Sequence, residues 1–464
     1  MFEQDAGPNS MMRSISPRVF RLSFVTVLLF GACKFPELDP VEVDARTGTD
    51  GDVGGDAMTD AEVDAPVACA PSTIDCDDAT DVYTECSAQG VATFQMMCPL
   101  GCSTTAEKCV DIDPSNGLAM YLDMAATAPD LVLTGTSTIN PDTGAILVGG
   151  TGVVVPTFTT ANDVRVFVVK SLSLQGTTSV LLDYETYAIA FVSHGDVSIS
   201  GLFDISAQGS QGGAGAAWGF DQGSMRGCTG GYPAQLGPGA GGGGGAELGG
   251  RGGSTSSASG SSGGAVASYA EPLLGGCEGG GVIGTQQSSQ SVGGGGGGAL
   301  QITSRTRIEL SGSGVIDASG GGASHTPAGG ERLPGAGGGG GGNIVLEAPQ
   351  VILDGANVVI STKGGGGAGA STSTTASGTD GGFDAARAPG GNSSISSHGG
   401  AGANGTQGPG AGLDAGCSGC QGGGGGGAAG LTVFRNIVGA IAPQNGAAVR
   451  SKQMTTTIRT RLVP

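Results

Sequence analysis

Short runs of alternating apolar and polar residues dominate the chain beyond Gly117: Val164-Arg165-Val166-Phe167-Val168-Val169, then Ser179-Val180-Leu181-Leu182, then Val197-Ser198-Ile199-Ser200. A period of two with β-branched residues predicts half-buried strands, and no long stretch has the 3.6-residue period of an amphipathic helix. The runs recur. Ile189-Ala-Phe191-x-Ser193 with Val197-x-Ile199-Ser200-Gly201-x-Phe203-Asp204-Ile205-Ser206 reappears as Leu300-Gln-Ile302-x-Ser304 with Ile308-x-Leu310-Ser311-Gly312-x-x-Val315-Ile316-Asp317-Ala318-Ser319. A third copy holds Ile344-Val-Leu346, Val351-Ile352-Leu353-Asp354 and Val358-Val359-Ile360-Ser361, and a degenerate fourth starts at Leu431-Thr-Val433-Phe434 and passes through Ile441.

Each copy offers three short apolar groups separated by Gly, Ser or Asp corners. One such round cannot bury its inward side chains alone, whereas stacked rounds place residues of equal rank above one another and satisfy the backbone between them. The expected class is all-β, a right-handed parallel β-helix-like solenoid over residues 117–464, with an antiparallel sandwich of irregular hairpins as the alternative. Ile199, Leu310 and Leu353 are expected in its hydrophobic column.

Long glycine-rich stretches separate the copies, at 207–298, 320–342 and 364–427. Unbroken glycine runs at 293–298, 337–342 and 422–427 each end just before the first strand of the next copy. Two readings are open: surface-exposed low-complexity insertions, or extended chains packed backbone to backbone as in polyproline-II-like bundles, where close approach leaves no room for a Cβ.

Composition sharpens this picture. Glycine accounts for 95 of 464 residues, aromatics for 4%, and Trp218 is the single tryptophan, so a core must come from Val, Ile, Leu and Ala on short strands. The 20 Lys and Arg against 40 Asp and Glu give a net charge of −20, which repels phosphate backbones and excludes nucleic acid as an expected partner.

At the N-terminus, Arg13, Arg18 and Arg21 precede an apolar run from Leu22 to Phe30, followed by Gly31-Ala32-Cys33. A basic region, a short apolar region and a small-residue site form an export signal, and the run is shorter than the roughly 20 residues a membrane span needs. Glu3 and Asp5 fit such a signal poorly, so translation is expected to start at Met11 or Met12. The small pair before the cysteine resembles the lipobox of bacterial lipoproteins, with Phe30 replacing the usual leucine. That resemblance implies a signal peptide over 1–33, lipidation of Cys33, and, by analogy through Lys34, sorting to the outer membrane. From 34 to 67, acidic residues alternate with small residues and prolines, which predicts a disordered, self-repelling tether. Asp50, Asp52 and Asp56 sketch a calcium loop, but Ala61 stands where the bidentate Glu is required.

With Cys33 assigned to lipid, ten of the 11 cysteines remain for an oxidising compartment. Cys69, Cys76, Cys86, Cys98, Cys102 and Cys109 crowd into 68–112, which reads as a small disulfide-stapled module. Zinc would want Cys-x2-4-Cys pairs, and only Cys98 and Cys102 approach that, with no histidine beside them. Cys228, Cys277, Cys417 and Cys420 lie in glycine-rich stretches where a crosslink restricts a loop. The pairings are not readable from spacing.

The repeat with its glycine tracts, from about Leu118 to Pro464, resembles glycine-rich exported lipoproteins and parallel β-helix surface proteins of Gram-negative bacteria, and more distantly mycobacterial PE-PGRS proteins, although no PE-type helical N-terminus is present. The resemblance implies a cell-surface role without established chemistry.

Candidate chemistry is sparse. His194 sits on a turn, and His325 and His398 sit in glycine tracts, with no triad spacing. No P-loop Lys-Ser/Thr follows a glycine run. Cys417-Ser-Gly-Cys420 has redox spacing but glycines follow it, so a structural disulfide is expected. Asp196, Asp204, Asp317, Asp354 and Arg307 could line a carbohydrate-processing face, yet Asp204 and Asp317 stand where Asp caps a turn. The expectation is a noncatalytic structural or adhesive surface lipoprotein with no cofactor or metal. Its partners are the membrane through the lipid and an extracellular polysaccharide or another surface protein. A polysaccharide-binding or polysaccharide-degrading protein is the alternative.

Overall fold

The computed structural model describes residues 68–182, 187–216, 237–265, 270–283, 289–328, 330–372, 374–393, 397–417 and 420–463. Residues 1–67, which hold the expected signal segment, Cys33 and the expected tether, lie outside them, as do Trp218 and Cys228. Strands prevail; the α-helix found among the described residues is the single short element Ala119–Met124, flanked by 3-10 turns at Ser115–Gly117 and Ala125–Thr127.

Three sheets are built by successive rounds of chain. In the first, Val164–Val169, Ala188–Ser193, Ala299–Ser304, Asn343–Glu347, Leu431–Asn436 and Lys452–Thr457 run parallel in that order. In the second, Leu131–Leu133, Leu172–Leu174, Val197–Ile199, Arg307–Ser311 and Gln350–Asp354 do the same. The third stacks Thr136–Ile139, Thr177–Val180, Leu202–Asp204, Val315–Asp317, Val359–Ser361 and Ala448–Arg450. The first and third sheets are mixed at one edge, where Thr157–Thr159 and the hairpin Ile146–Val148/Thr151–Val153 pair antiparallel.

Register explains the core. Phe167, Phe191, Ile302, Leu346 and Phe434 are aligned across the first sheet, and Leu133, Leu174, Ile199, Leu310 and Leu353 across the second. Phe203, Ile316 and Ile360 come from the third. These columns form one buried cluster, in which Phe167 stacks on Phe191 with ring centroids 5.1 Å apart. The fourth copy is shifted by one residue from its sequence match: Thr432, not Leu431, aligns with Ile344. Phe434 therefore points inward, while Leu431 and Val433 join the opposite face, as the alternation of side chains along a strand requires. That outer face of the first sheet is covered by Leu118, Tyr121, Leu122 and Ala125.

The pure glycine runs 293–298, 337–342 and 422–427 are buried throughout, and their hydrogen bonding is that of backbone-to-backbone packing. Along the segment 422–430, donors rotate among three neighbours with a period of three. Gly422, Gly425 and Ala428 donate to Gly237, Ala240 and Gly243; Gly423 and Gly426 to Leu413 and Gly410; Gly424, Gly427 and Gly430 to Ala368, Gly365 and Thr362. Its carbonyls accept from three further segments: Gly335, Gly338 and Gly341; Gly253 and Gly250; Gly400 and Ala403. All these bonds measure 2.7–3.0 Å. Three residues per turn is the polyproline-II repeat, and it aims amide and carbonyl groups outward in three directions each. The segment is thus surrounded by six others. No residue of the runs 337–342 and 422–427 has positive φ, so glycine is required there for space rather than for conformation: a Cβ on Gly339, Gly424 or Gly427 would meet a neighbouring carbonyl oxygen well inside 3.0 Å. The bundle continues the hydrogen bonding of the sheets at both ends: Ile205 donates to Asp317 and Ala318 to Ser361 beyond the third sheet, while Asn343 donates to Gly298 and Leu431 to Gly342 where the pure glycine runs lead into the first sheet.

The Cys-rich segment belongs to the same compact unit, Ala65–Pro464. Its last strand, Lys108–Ile112, pairs antiparallel with the C-terminal strand Thr460–Val463.

Candidate functional site

The cysteines pair as Cys69–Cys86, Cys76–Cys102, Cys98–Cys109 and Cys417–Cys420, and Cys277 is also disulfide-bonded. The sulfurs of Cys76, Cys98 and Cys102 lie within 4.8 Å of one another, a spacing that thiolates could offer a metal, but a sulfur bonded to sulfur is no thiolate ligand.

The three histidines are far apart in role. His194 Nδ1 accepts from Arg305 at 3.1 Å, and burial, aided by the Arg305 charge, lowers its pKa. His325 is buried between Ser291 and the Ser371 carbonyl, and burial lowers its pKa too. His398 accepts from the Ser393 amide.

The five residues proposed for a carbohydrate-processing face do not converge. Asp196 pairs with Arg307 at 2.9 Å and accepts from Thr306; Asp354 accepts from Asn445. Asp204 and Asp317 are in register on adjacent strands of the third sheet, and each accepts from the amide and hydroxyl of the serine two residues on, Ser206 and Ser319. They are turn caps. Asp317 is buried, and desolvation, with the Asp204 charge beside it, raises its pKa to about 6 despite the hydrogen bonds from Ser319 and the charge of Lys363.

Two charge clusters had no signature in the sequence. Asp111, fully buried, receives Arg305 through two bonds of 2.8 and 3.2 Å and Arg461 at 3.3 Å; both arginines also reach Asp123. Glu347, also buried, accepts from Arg435 and Gln301 at 2.6 Å each, from Thr303 and from the Ser115 amide. Arg435 continues to Glu271, which Arg459 also grips. Burial alone would raise the Glu271 pKa, but Arg435 and Arg459 outweigh it and the pKa falls. These clusters clamp the Cys-rich strand, the short helix and the C-terminal segment onto the first sheet.

A groove of about 600 Å³ lies on the outer face of the third sheet. Thr177, Leu202, Val315 and Val359 are in register on four adjacent strands and lie along it, so it runs across the strands, in the stacking direction. The segment around Phe383 and Asp384 forms a wall. It is tied down by the buried Lys363, whose ammonium donates to the Asp384 carboxylate at 2.5 Å and to the carbonyls of Asp384 and Ala386, and by Ser361, which donates to the Gly382 carbonyl. Arg450 and Asn357 also line the groove.

The chain matches no protein-family model, no curated protein and no solved structure.

Proposed function

We propose that this chain is an exported, lipid-anchored surface module with a noncatalytic, structural or adhesive role, in which a right-handed parallel β-helix is braced by a polyglycine bundle. In this reading Cys33 carries the lipid in the outer membrane, residues 34–67 are the tether, and the folded unit faces the periplasm or the cell exterior. The observation that carries the reading is the six-neighbour packing of segment 422–430. It is a scaffold of main chain whose interior holds glycine and a few alanines, with no room for larger side chains. Asp204 and Asp317 serve as turn caps and Asp111 as a clamp, and the groove offers an apolar floor with polar rims, as binding sites do.

The test has two arms. Cys33→Ser should release the protein from the membrane fraction, and continued sedimentation with membranes refutes the anchor. Cells displaying the intact chain should adhere to glycan- or cell-coated surfaces more than deletion cells, without depolymerising any polysaccharide offered. Turnover of one would establish the polysaccharide-degrading alternative.

A further inference from the structure

We infer that the groove on the third sheet binds an extended glycan carrying spaced carboxylates, with Arg450 taking a uronate and Phe383 stacking against a sugar ring. The inference rests on the adhesive reading and names its ligand class.

The floor residues Leu202, Val315 and Val359 succeed one another across parallel strands, about 4.8 Å apart, so they make a straight apolar track that suits the flat faces of consecutive pyranose rings. Phe383 stands in the wall 45% exposed. An aromatic ring held open to a groove presents the face on which sugar C–H bonds pack.

Arg450 supplies the polar anchor. It is partly buried and lines the groove, yet its guanidinium makes no ion pair or side-chain hydrogen bond with any described residue. Its strand neighbour is Ser361, not an acid, and the acid of the wall, Asp384, is already held by Lys363. In a chain with a net charge of −20, a half-buried guanidinium without a partner is a vacancy for an anion, and its planar fork fits a carboxylate bidentately. The same net charge opposes a polymer with a carboxylate on every sugar. At physiological ionic strength charges beyond about 8 Å are screened, so spaced carboxylates meet Arg450 without the accumulated repulsion. Asn357 on the rim adds hydrogen-bonding capacity for hydroxyls.

The experiment is surface plasmon resonance with the full-length chain captured on the sensor. The probes are an oligosaccharide alternating glucuronate with a neutral sugar and the same oligosaccharide after carboxyl reduction. Wild type should bind the acidic probe saturably and the reduced probe more weakly. Arg450→Gln should weaken the acidic probe about tenfold, the scale of one charge-assisted bidentate pair, and leave the reduced probe unchanged; Phe383→Ala should weaken both. Unchanged melting of Arg450→Gln verifies its fold, and if it melts early, Arg450→Lys, which keeps the charge but loses the fork, should give an intermediate affinity. Equal affinity of wild type and Arg450→Gln for the acidic probe overturns the inference, as does the absence of saturable binding to it. A chain that adheres to cells but binds neither probe refutes this ligand and leaves the adhesive reading standing; binding without adhesion does the reverse.

Discussion

Replacing Gly424 with alanine tests the polyglycine bundle at its centre. The new Cβ would point at the carbonyl oxygen of Ala336, and that oxygen already accepts from the Ala368 amide at 2.8 Å. To restore an ordinary contact the carbonyl must retreat by about 1.6 Å, and as main chain it cannot rotate away as a side chain would. Overpacking of this kind costs about 1–3 kcal/mol. Loss of the Ala368 bond, with strain on the bond from Gly424 to Ala368 itself, adds about 1–3 kcal/mol because the freed groups stay buried. The expected destabilisation is therefore about 2–6 kcal/mol. In a unit running from Ala65 to Pro464, with unfolding entropy near 2.1 cal/mol/K per residue, that lowers the melting midpoint by about 2–7 °C. Gly152 is the control: it sits on a strand with open space where a Cβ would go and without positive φ, so Gly152→Ala should be neutral or slightly stabilising. Calorimetry reads the midpoints, and hydrogen exchange should show amides 422–430 slow in wild type and faster in Gly424→Ala. If both variants melt alike, or if these amides exchange freely in wild type, the bundle argument fails.

Asp317→Asn keeps the cap from Ser319 while abolishing titration. The folded pKa of about 6 lies above the ordinary 3.8, so the fold favours the protonated acid, and the stability this contributes is full below about pH 4 and lost as pH rises through about 6. The asparagine variant should match wild type near pH 4 and exceed it by up to about 3 kcal/mol near pH 8; a gap independent of pH in denaturant melts contradicts this. Arg305→Met leaves buried Asp111 with the longer Arg461 contact as its ion pair, beside the Ile112 amide, and should destabilise by about 3–5 kcal/mol in the same melts, whereas a loss under 1 kcal/mol would mean the cluster is dispensable. Peptide mapping of unreduced protein should recover the links Cys69–Cys86, Cys76–Cys102 and Cys98–Cys109, while free thiols with bound zinc would reverse the assignment.

Features that act over a few residues were legible in the sequence. The alternation of Val164–Val169 gives a strand because neighbouring side chains of a strand point to opposite faces. Asp204 and Asp317 act as caps because an Asp reaches the backbone two residues on without help from the fold. The repeats of Val197, Ile308 and Val351 foretold residues in register, and the position of the pure glycine runs marked something other than a linker.

Tertiary structure alone decided the rest. Cysteine spacing leaves every pairing open, and even strand neighbours do not decide it: Cys102 and Cys109 face each other across antiparallel strands yet bond to Cys76 and Cys98. The shift of Leu431 by one residue follows from which face of the first sheet needed Phe434. Asp111 finds Arg305 and Arg461 from 194 and 350 residues away, a distance over which no local pattern carries information. Whether a glycine tract is a loose insertion or a bundle depends on six neighbours being brought to hydrogen-bonding distance at once. Composition permits that packing by removing the Cβ where a neighbouring carbonyl comes closest; only the folded chain, which delivers those neighbours at the ends of stacked strands, brings it about.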